Sequence, residues 1–250
     1  MKNDLTFLID IGNTAIKWGF SQPKPIVLLG RESYQDILPK STILDQWHTL
    51  PKPNHVLISN VATDLVGEQI KTLVKEHWNI EATFIQENQT LPKIKPLITN
   101  SILGVDRWLA LLALHQTEHS PFALIGCGTA ITLDVCQNGS HLGGLITPGV
   151  ELMRFSLEKY TAGCRLNPDQ IDSDQLLSFN TDGAMRAGTL QMPAAFIETT
   201  LEQIEKKFNL TLKIFITGGD ANRLMSRFHH ADRFIEIPSL VLNGLALFEK

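Results

Sequence analysis

The chain has 250 residues, 43% hydrophobic and 19% charged, enough to bury a sizeable core as one large domain or two small ones. A formal net charge of -4 offers no basic field to a polyphosphate backbone, so nucleic acid is not expected as a partner. Three cysteines, Cys127, Cys136 and Cys164, form no C-x-x-C pair and fit a reducing, cytoplasmic setting better than a disulfide framework or zinc ribbon, with Cys127 packing as a small apolar residue.

In chain order, residues 5–9 read as a buried strand and 15–20 as the next, so Gly12-Asn13 sits in a tight hairpin at a place for residues tolerating positive φ. Asp4 and Asp10 interrupt this only early apolar run, and no segment approaches the roughly 20 apolar residues of a membrane span, so neither a signal peptide nor a membrane partner is expected. A third strand is predicted over 26–29, a polar amphipathic stretch over 34–50, and a strand over 55–59 after the Pro51-Lys52-Pro53 break. Asp64 as N-cap opens a helix with Leu65, Ile70, Leu73 and Val74 at its apolar positions, followed by a strand over 82–85. After a proline-bearing loop, Gly104-Val105-Asp106-Arg107-Trp108 begins a helix that Ser120-Pro121 stops, and the alternation of strands and helices predicts an α/β protein. The expected domains are residues 1–119 and 120–250.

In the second half, strands over 131–136 and 141–146 flank Asn138-Gly139, a type I′ hairpin signal. A helix is predicted over 150–160, a long helix over 182–208, a strand over 213–217 ending in Gly218-Gly219-Asp220, a helix from Ala221, and a last helix over 240–248 closing the second domain.

The chemistry concentrates at the first hairpin. Asp10 offers a hard oxygen ligand for Mg²⁺, Thr14 a hydroxyl, Lys17 a mobile positive charge, and the turn at Gly12 and Asn13 backbone N–H groups for an anion. The pattern recurs at residues 124–134, where Gly128 and Thr129 lie over Gly12 and Asn13, so the chain reads as a duplication. With its two phosphate-facing hairpins it resembles the actin, sugar-kinase and Hsp70 superfamily. That resemblance implies two duplicated actin-like (ribonuclease H-like) domains with an ATP cleft between them.

Five segments in order, Asp10-x-Gly12-Asn13-Thr14 with Lys17, Gly104-x-Asp106-Arg107, Gly128-Thr129-Ala130-x-Thr132-x-Asp134, Gly143-Gly144-x-Ile146-x-Pro148-Gly149 and Thr217-Gly218-Gly219, resemble type III pantothenate kinase over nearly the whole chain. The resemblance implies a cytoplasmic homodimer that transfers the γ-phosphoryl of ATP, with Mg²⁺, to pantothenate, the first step of coenzyme A synthesis. It implies Asp106 as the base for the pantothenate hydroxyl, Gly104, Val105, Asp106 and Arg107 as substrate-binding residues, and Thr181 as a substrate contact donated by the partner subunit. By the same matching, Asp10, Gly12, Asn13, Thr14, Lys17 and Thr129 bind ATP and Asp10 holds the metal. The chemistry is coherent, since phosphoryl transfer needs a positioned hydroxyl, a proton acceptor and cations to spread the phosphate charge.

Two departures qualify the carry-over. Gly126 stands where the family usually has the Asp of a K⁺ or NH₄⁺ site, so a weakened cation requirement is expected, and Leu97 and Asn100 replace a tyrosine and a proline of the pantothenate pocket. Outside this pattern, His115-x-x-Glu118-His119 matches an inverted zinc-protease motif, although its place in the last turn of a helix favours two histidines set at the helix dipole. Alternatives of other classes are a non-catalytic ATP-binding regulator, since the resemblance includes proteins first described as transcription accessory factors, and an actin-fold kinase of another small hydroxylated substrate.

Overall fold

A computed structural model describes residues 4–34, 37–100, 102–173 and 175–249. The chain divides into two compact units, Met1–His119 with Ser239–Lys250, and Ser120–Pro238. The first carries strands β1 (Thr6–Ile11), β2 (Ala15–Phe20), β3 (Gly30–Ser33), β4 (His55–Asn60) and β5 (Thr83–Phe84), with helices α1 (Lys40–Trp47), α2 (Asp64–Trp78) and α3 (Val105–Thr117). The second carries β6 (Phe122–Cys127), β7 (Ala130–Gln137), β8 (Ser140–Pro148), α4 (Val150–Tyr160), α5 (Thr181–Phe208), β9 (Lys213–Thr217), α6 (Ala221–Met225) and β10 (Phe234–Glu236). Helix α7 (Leu240–Leu245) returns to the first unit.

The duplication is visible in the hydrogen-bonded order of the sheets, β3-β2-β1-β4-β5 in one and β8-β7-β6-β9-β10 in the other. In each, the first two pairings in chain order are antiparallel and the central strand pairs in parallel with the fourth, which pairs in parallel with the fifth. Each opening hairpin is closed by a glycine N–H, but the first turn is one residue longer: Gly12 N–H donates to the Ala15 carbonyl at 3.0 Å, and Gly128 N–H to the Ala130 carbonyl at 3.1 Å.

Strand alternation sorts the first unit. Phe7, Ile9 and Ile11 point into a core with Trp18, Trp47, Ile70, Val74 and Trp78, in which the Trp47 and Trp78 rings stack at 5.1 Å. Thr6, Leu8 and Asp10 therefore lie on the opposite face, where α7 packs against β1 and β4 and α3 packs against β4 and α7. Gly244 of α7 comes so close to α3 that a Cβ would stand 2.3 Å from the Leu109 carbonyl oxygen, so only glycine admits this approach.

Several local expectations shift. The third strand is Gly30–Ser33 rather than 26–29, because Pro23 and Pro25 delay pairing with β2 and the exposed Val27, Leu28 and Leu29 precede it. The amphipathic stretch contracts to α1, with residues 35 and 36 outside the described part. The α2 N-cap is Thr63, whose hydroxyl accepts the Val66 N–H, so Asp64 is the first helical residue and favours the helix dipole. The last helix groups with the first unit instead of closing the second, since its apolar residues Leu240, Leu242 and Leu245 are buried there. Strand β10 carries too short a run to be read from sequence.

In the second unit, the β7–β8 turn has Asn138 at φ 51° and Gly139 at φ 75°, the left-handed pair a type I′ hairpin requires. The helices α4 and α5 fall within a residue of the expected bounds, and Asn180 caps α5 by accepting the Gly183 N–H at 2.8 Å. Their buried faces and the sheet enclose Ile125, Leu133, Leu190, Ile197, Ile214 and Ile216. Cys127 is part of this core, and burial pushes its thiol up to about 12, so it is an inert apolar filler.

Candidate active site

Within the first unit, parallel pairing sets Asp10 of β1 beside Ser59 of β4, and antiparallel pairing sets it opposite Lys17 of β2. Asp10 is almost fully buried, and its Oδ1 has no hydrogen-bond partner. Burial pushes the Asp10 carboxyl up to about 6, with the Lys17 charge opposing that rise, the Asp106 charge adding to it and the Ser59 hydroxyl easing it. A buried, half-satisfied carboxylate facing a second carboxylate is costly unless a cation joins it. The donor set therefore fits a hard divalent cation: one orphaned carboxylate oxygen, an adjacent hydroxyl and a nearby acid.

Asp106 enters this site because α3 begins beside β4. Gly104 has an extended conformation as the N-cap, and the Trp108 N–H bonds back to its carbonyl at 3.0 Å. The Asp106 carboxylate folds over the helix start, accepting the Arg107 N–H at 2.7 Å, and its Oδ1 lies 2.8 Å from where a Gly104 Cβ would be. A side chain at 104 would thus push the acid out of place. Asp106 and Arg107 remain partly accessible.

Two supporting residues gave no motif in the sequence. The Glu87 carboxylate accepts the Leu103 N–H at 2.8 Å and anchors the segment entering Gly104. Tyr34, buried just beyond β3, bonds to the backbone of the first hairpin. An acceptor aimed at an N–H in a loop, or a tyrosine aimed at a turn, leaves no periodicity to read.

At that hairpin, neither Gly12 nor Asn13 has positive φ, contrary to expectation. Asn13 and Thr14 are exposed at its tip, with Gly12 and Lys17 half-buried behind them.

In the second unit, glycines bring three turns together backbone to backbone. Gly149 N–H donates to the Thr129 carbonyl at 2.9 Å, and a Cβ on Gly149 would stand 2.1 Å from the Gly128 carbonyl oxygen. Gly218, at φ +112°, is equally close to Cys127, whose carbonyl accepts the Asp220 N–H at 3.2 Å. Thr129 is half-exposed on this glycine-lined surface, and Thr181 is exposed at the first position of α5. The segment before α5 is tied down by Asp172, which accepts bonds from the buried Arg154 at 2.6 Å and from Arg223 at 2.8 Å. Burial acts to raise the Asp172 carboxyl, but these arginines hold it below the usual carboxylate range.

The family profile described as type III pantothenate kinase matches residues 6–203. A type III pantothenate kinase of Nitrosococcus oceani is 34% identical, with 98% of this chain and 94% of the relative covered, and one of Burkholderia thailandensis is 32% identical, with 96% of each covered. The chain belongs to the type III pantothenate kinase family. As a member it is a phosphotransferase. Among solved structures, a protein described as a Baf family transcriptional activator from Campylobacter jejuni aligns with TM-score 0.56 at 21% identity, covering 95% of this chain and 94% of that one. MreB5 of Spiroplasma citri, solved with AMPPNP, aligns with TM-score 0.51 at 11% identity, covering 100% and 97%. These likenesses concern the fold, which is the duplicated actin-like one.

Where this pantothenate kinase family member departs from the expected pattern, the packing is specific. Gly126 pairs with Thr132 across β6 and β7, and a Cβ at 126 would lie 2.6 Å from the Thr132 Oγ1. The threonine thus occupies the space of a side chain at 126. Leu97 is buried and Asn100 exposed. The His115-Glu118-His119 triplet assembles no metal site, and among the described residues no group of three or more His, Cys, Asp or Glu side chains does. Burial and the Lys95 charge lower the His115 pKa.

Proposed function

We propose that this chain catalyses ATP-dependent phosphorylation of the pantothenate primary hydroxyl to 4′-phosphopantothenate, with Asp106 accepting the hydroxyl proton. The observation that carries the reading is the buried Asp10 with an orphaned oxygen, opposite Lys17 in the strand register, its carboxyl pKa raised by burial and by the charge of Asp106. Asp10 would hold the Mg²⁺ that accompanies ATP, supplying charge neutralisation at the phosphates. Gly12, Asn13, Thr14, Lys17 and Thr129 bind the nucleotide in this reading. Gly104, Val105 and Arg107 bind pantothenate beside Asp106, and Thr181 of a second copy completes the site.

Support for a homodimer comes from the second unit, where Ile171, Leu176, Leu177 and Phe179 are exposed in the segment leading to Thr181. Apolar side chains so placed are covered when a second copy docks there. The proposed setting is the cytoplasm, without nucleic acid or membrane as partner; among the described residues no helix is long and apolar enough to cross a membrane. The test is an ADP-release assay with purified protein, Mg-ATP and pantothenate. ADP formation that depends on pantothenate and yields phosphopantothenate supports the reading, and nucleotide binding without turnover would favour a regulator.

A further inference from the structure

The β1–β2 hairpin has an unusual construction. Two-residue hairpin loops normally use primed turns, whose positive φ matches the strand twist, yet Gly12, Asn13 and Thr14 all lie outside the left-handed region. The turn therefore needs external support, and Tyr34 supplies it at two points. Its hydroxyl donates to the Gly12 carbonyl at 2.5 Å, and its backbone N–H donates to the Thr14 carbonyl at 2.9 Å. The ring is buried in the first unit's aromatic core, so the hydroxyl approaches from a fixed direction. Burial and the nearby Asp10 charge raise its pKa, which keeps it a hydrogen-bond donor through the neutral range.

The consequence follows from peptide geometry. The C=O and N–H of a trans peptide point in opposite directions, so drawing the Gly12 carbonyl toward Tyr34 turns the Asn13 N–H away from it, at the exposed tip. We propose that Tyr34 is a positioning residue for nucleotide binding: its hydroxyl, acting through the Gly12 carbonyl, presents the Asn13 N–H to the phosphates of ATP. This rests on the reading that the hairpin binds those phosphates. Tyr34 touches neither substrate nor metal in this role.

The test is Tyr34→Phe in the full chain, which removes only the hydroxyl and keeps both the ring and the backbone bond to Thr14. Initial rates with each substrate varied, calorimetric titration with Mg-AMPPNP and a thermal melt are measured on both proteins. Loss of one positioning hydrogen bond should raise KM for ATP and Kd for Mg-AMPPNP by about 5- to 20-fold, leave KM for pantothenate within about twofold, and leave Tm within about 3 °C. Unchanged nucleotide affinity overturns the proposal. So does a fall in Tm with both KM values rising together, the signature of a purely structural tyrosine. If the unmodified protein fails to bind Mg-AMPPNP, the nucleotide reading of the hairpin falls and this role with it, whereas an unmodified protein that binds beside an unaltered variant refutes the role of Tyr34 alone.

Discussion

At the residue scale, the site turns on two acids in unlike surroundings. Asp106 is half-exposed at a helix start, suited to take a proton, while Asp10 is buried and held between a cation and that second acid. Asp106→Asn should lower kcat by about 10²- to 10⁴-fold with little change in nucleotide affinity, read from steady-state rates and titration with Mg-AMPPNP. For Asp10 the raised pKa fixes the sign of a pH effect. The metal-free folded protein takes up this proton near pH 6, before the unfolded chain does near 4, so stability from this group rises as pH falls through that window and is lost as pH rises through 6. Asp10→Asn should therefore raise the Tm of the metal-free protein at pH 8, the buried charge costing about 3 kcal/mol there. The same change should abolish stabilisation by Mg-ATP. A variant destabilised at pH 8 and still stabilised by Mg-ATP would remove Asp10 from the metal site.

At the scale of elements, short connections are held by buried polar contacts. Asp172 ties the segment before α5 to Arg154, which is 3% exposed, so Asp172→Ala takes the shortest of its ion-pair contacts from a buried guanidinium that keeps only Glu151 and Thr189 as side-chain partners. A loss of about 3 kcal/mol in unfolding free energy is expected at neutral pH from denaturant titration. Because the carboxyl is held below its usual range, its contribution is present above the ordinary carboxylate pKa and fades as pH falls through the acid range. A stability difference that stays constant from pH 7 to pH 3 would show that the ionised Asp172 carboxylate is not the source of the loss. The Gly126–Thr132 contact makes a second case. Since Thr132 fills the place of a side chain at 126, turnover without K⁺ or NH₄⁺ should retain a substantial fraction of its value with either ion, and Gly126→Asp should gain cation dependence only if Thr132 gives way. Strict dependence in the unmodified protein would mean that other oxygens form the site.

For the whole molecule, the return of α7 to the first unit matters most. It packs on the sheet face that bears Leu8 and Asp10, so α7 belongs to the unit that holds the proposed metal site. Gly244→Val, forced against the Leu109 carbonyl, should unfold or strongly destabilise the first unit and with it Mg-ATP binding. Tryptophan fluorescence reports this directly, because all four tryptophans, Trp18, Trp47, Trp78 and Trp108, lie in that unit. A shared site across a dimer makes a further demand: mixing inactive Asp106→Asn with an inactive Thr181 variant should restore part of the activity, and a fully active monomer in light scattering would rule sharing out.

What the sequence determined by itself was whatever repeats, alternates or punctuates. Residues 124–134 echo 7–19, and that echo anticipated two sheets of matching order; Asn138-Gly139 specified its own turn, because a type I′ loop is a local property of those two residues. Asp10, Lys17 and Asp106 were legible as a group only through the family pattern, since nothing local says that residues 10 and 106 meet. Tertiary structure decided the rest. Gly12-Asn13 did not take the positive φ its composition suggested, and the turn carries hydrogen bonds from Tyr34, 22 positions beyond Gly12, that no local pattern announces. Strand β3 began later than its apolar run, since pairing with β2 rather than hydrophobicity fixed its start. The last helix joined the first unit because its leucines found their apolar partners on the Asp10 face of the first sheet and on α3, and burial takes no account of distance along the chain.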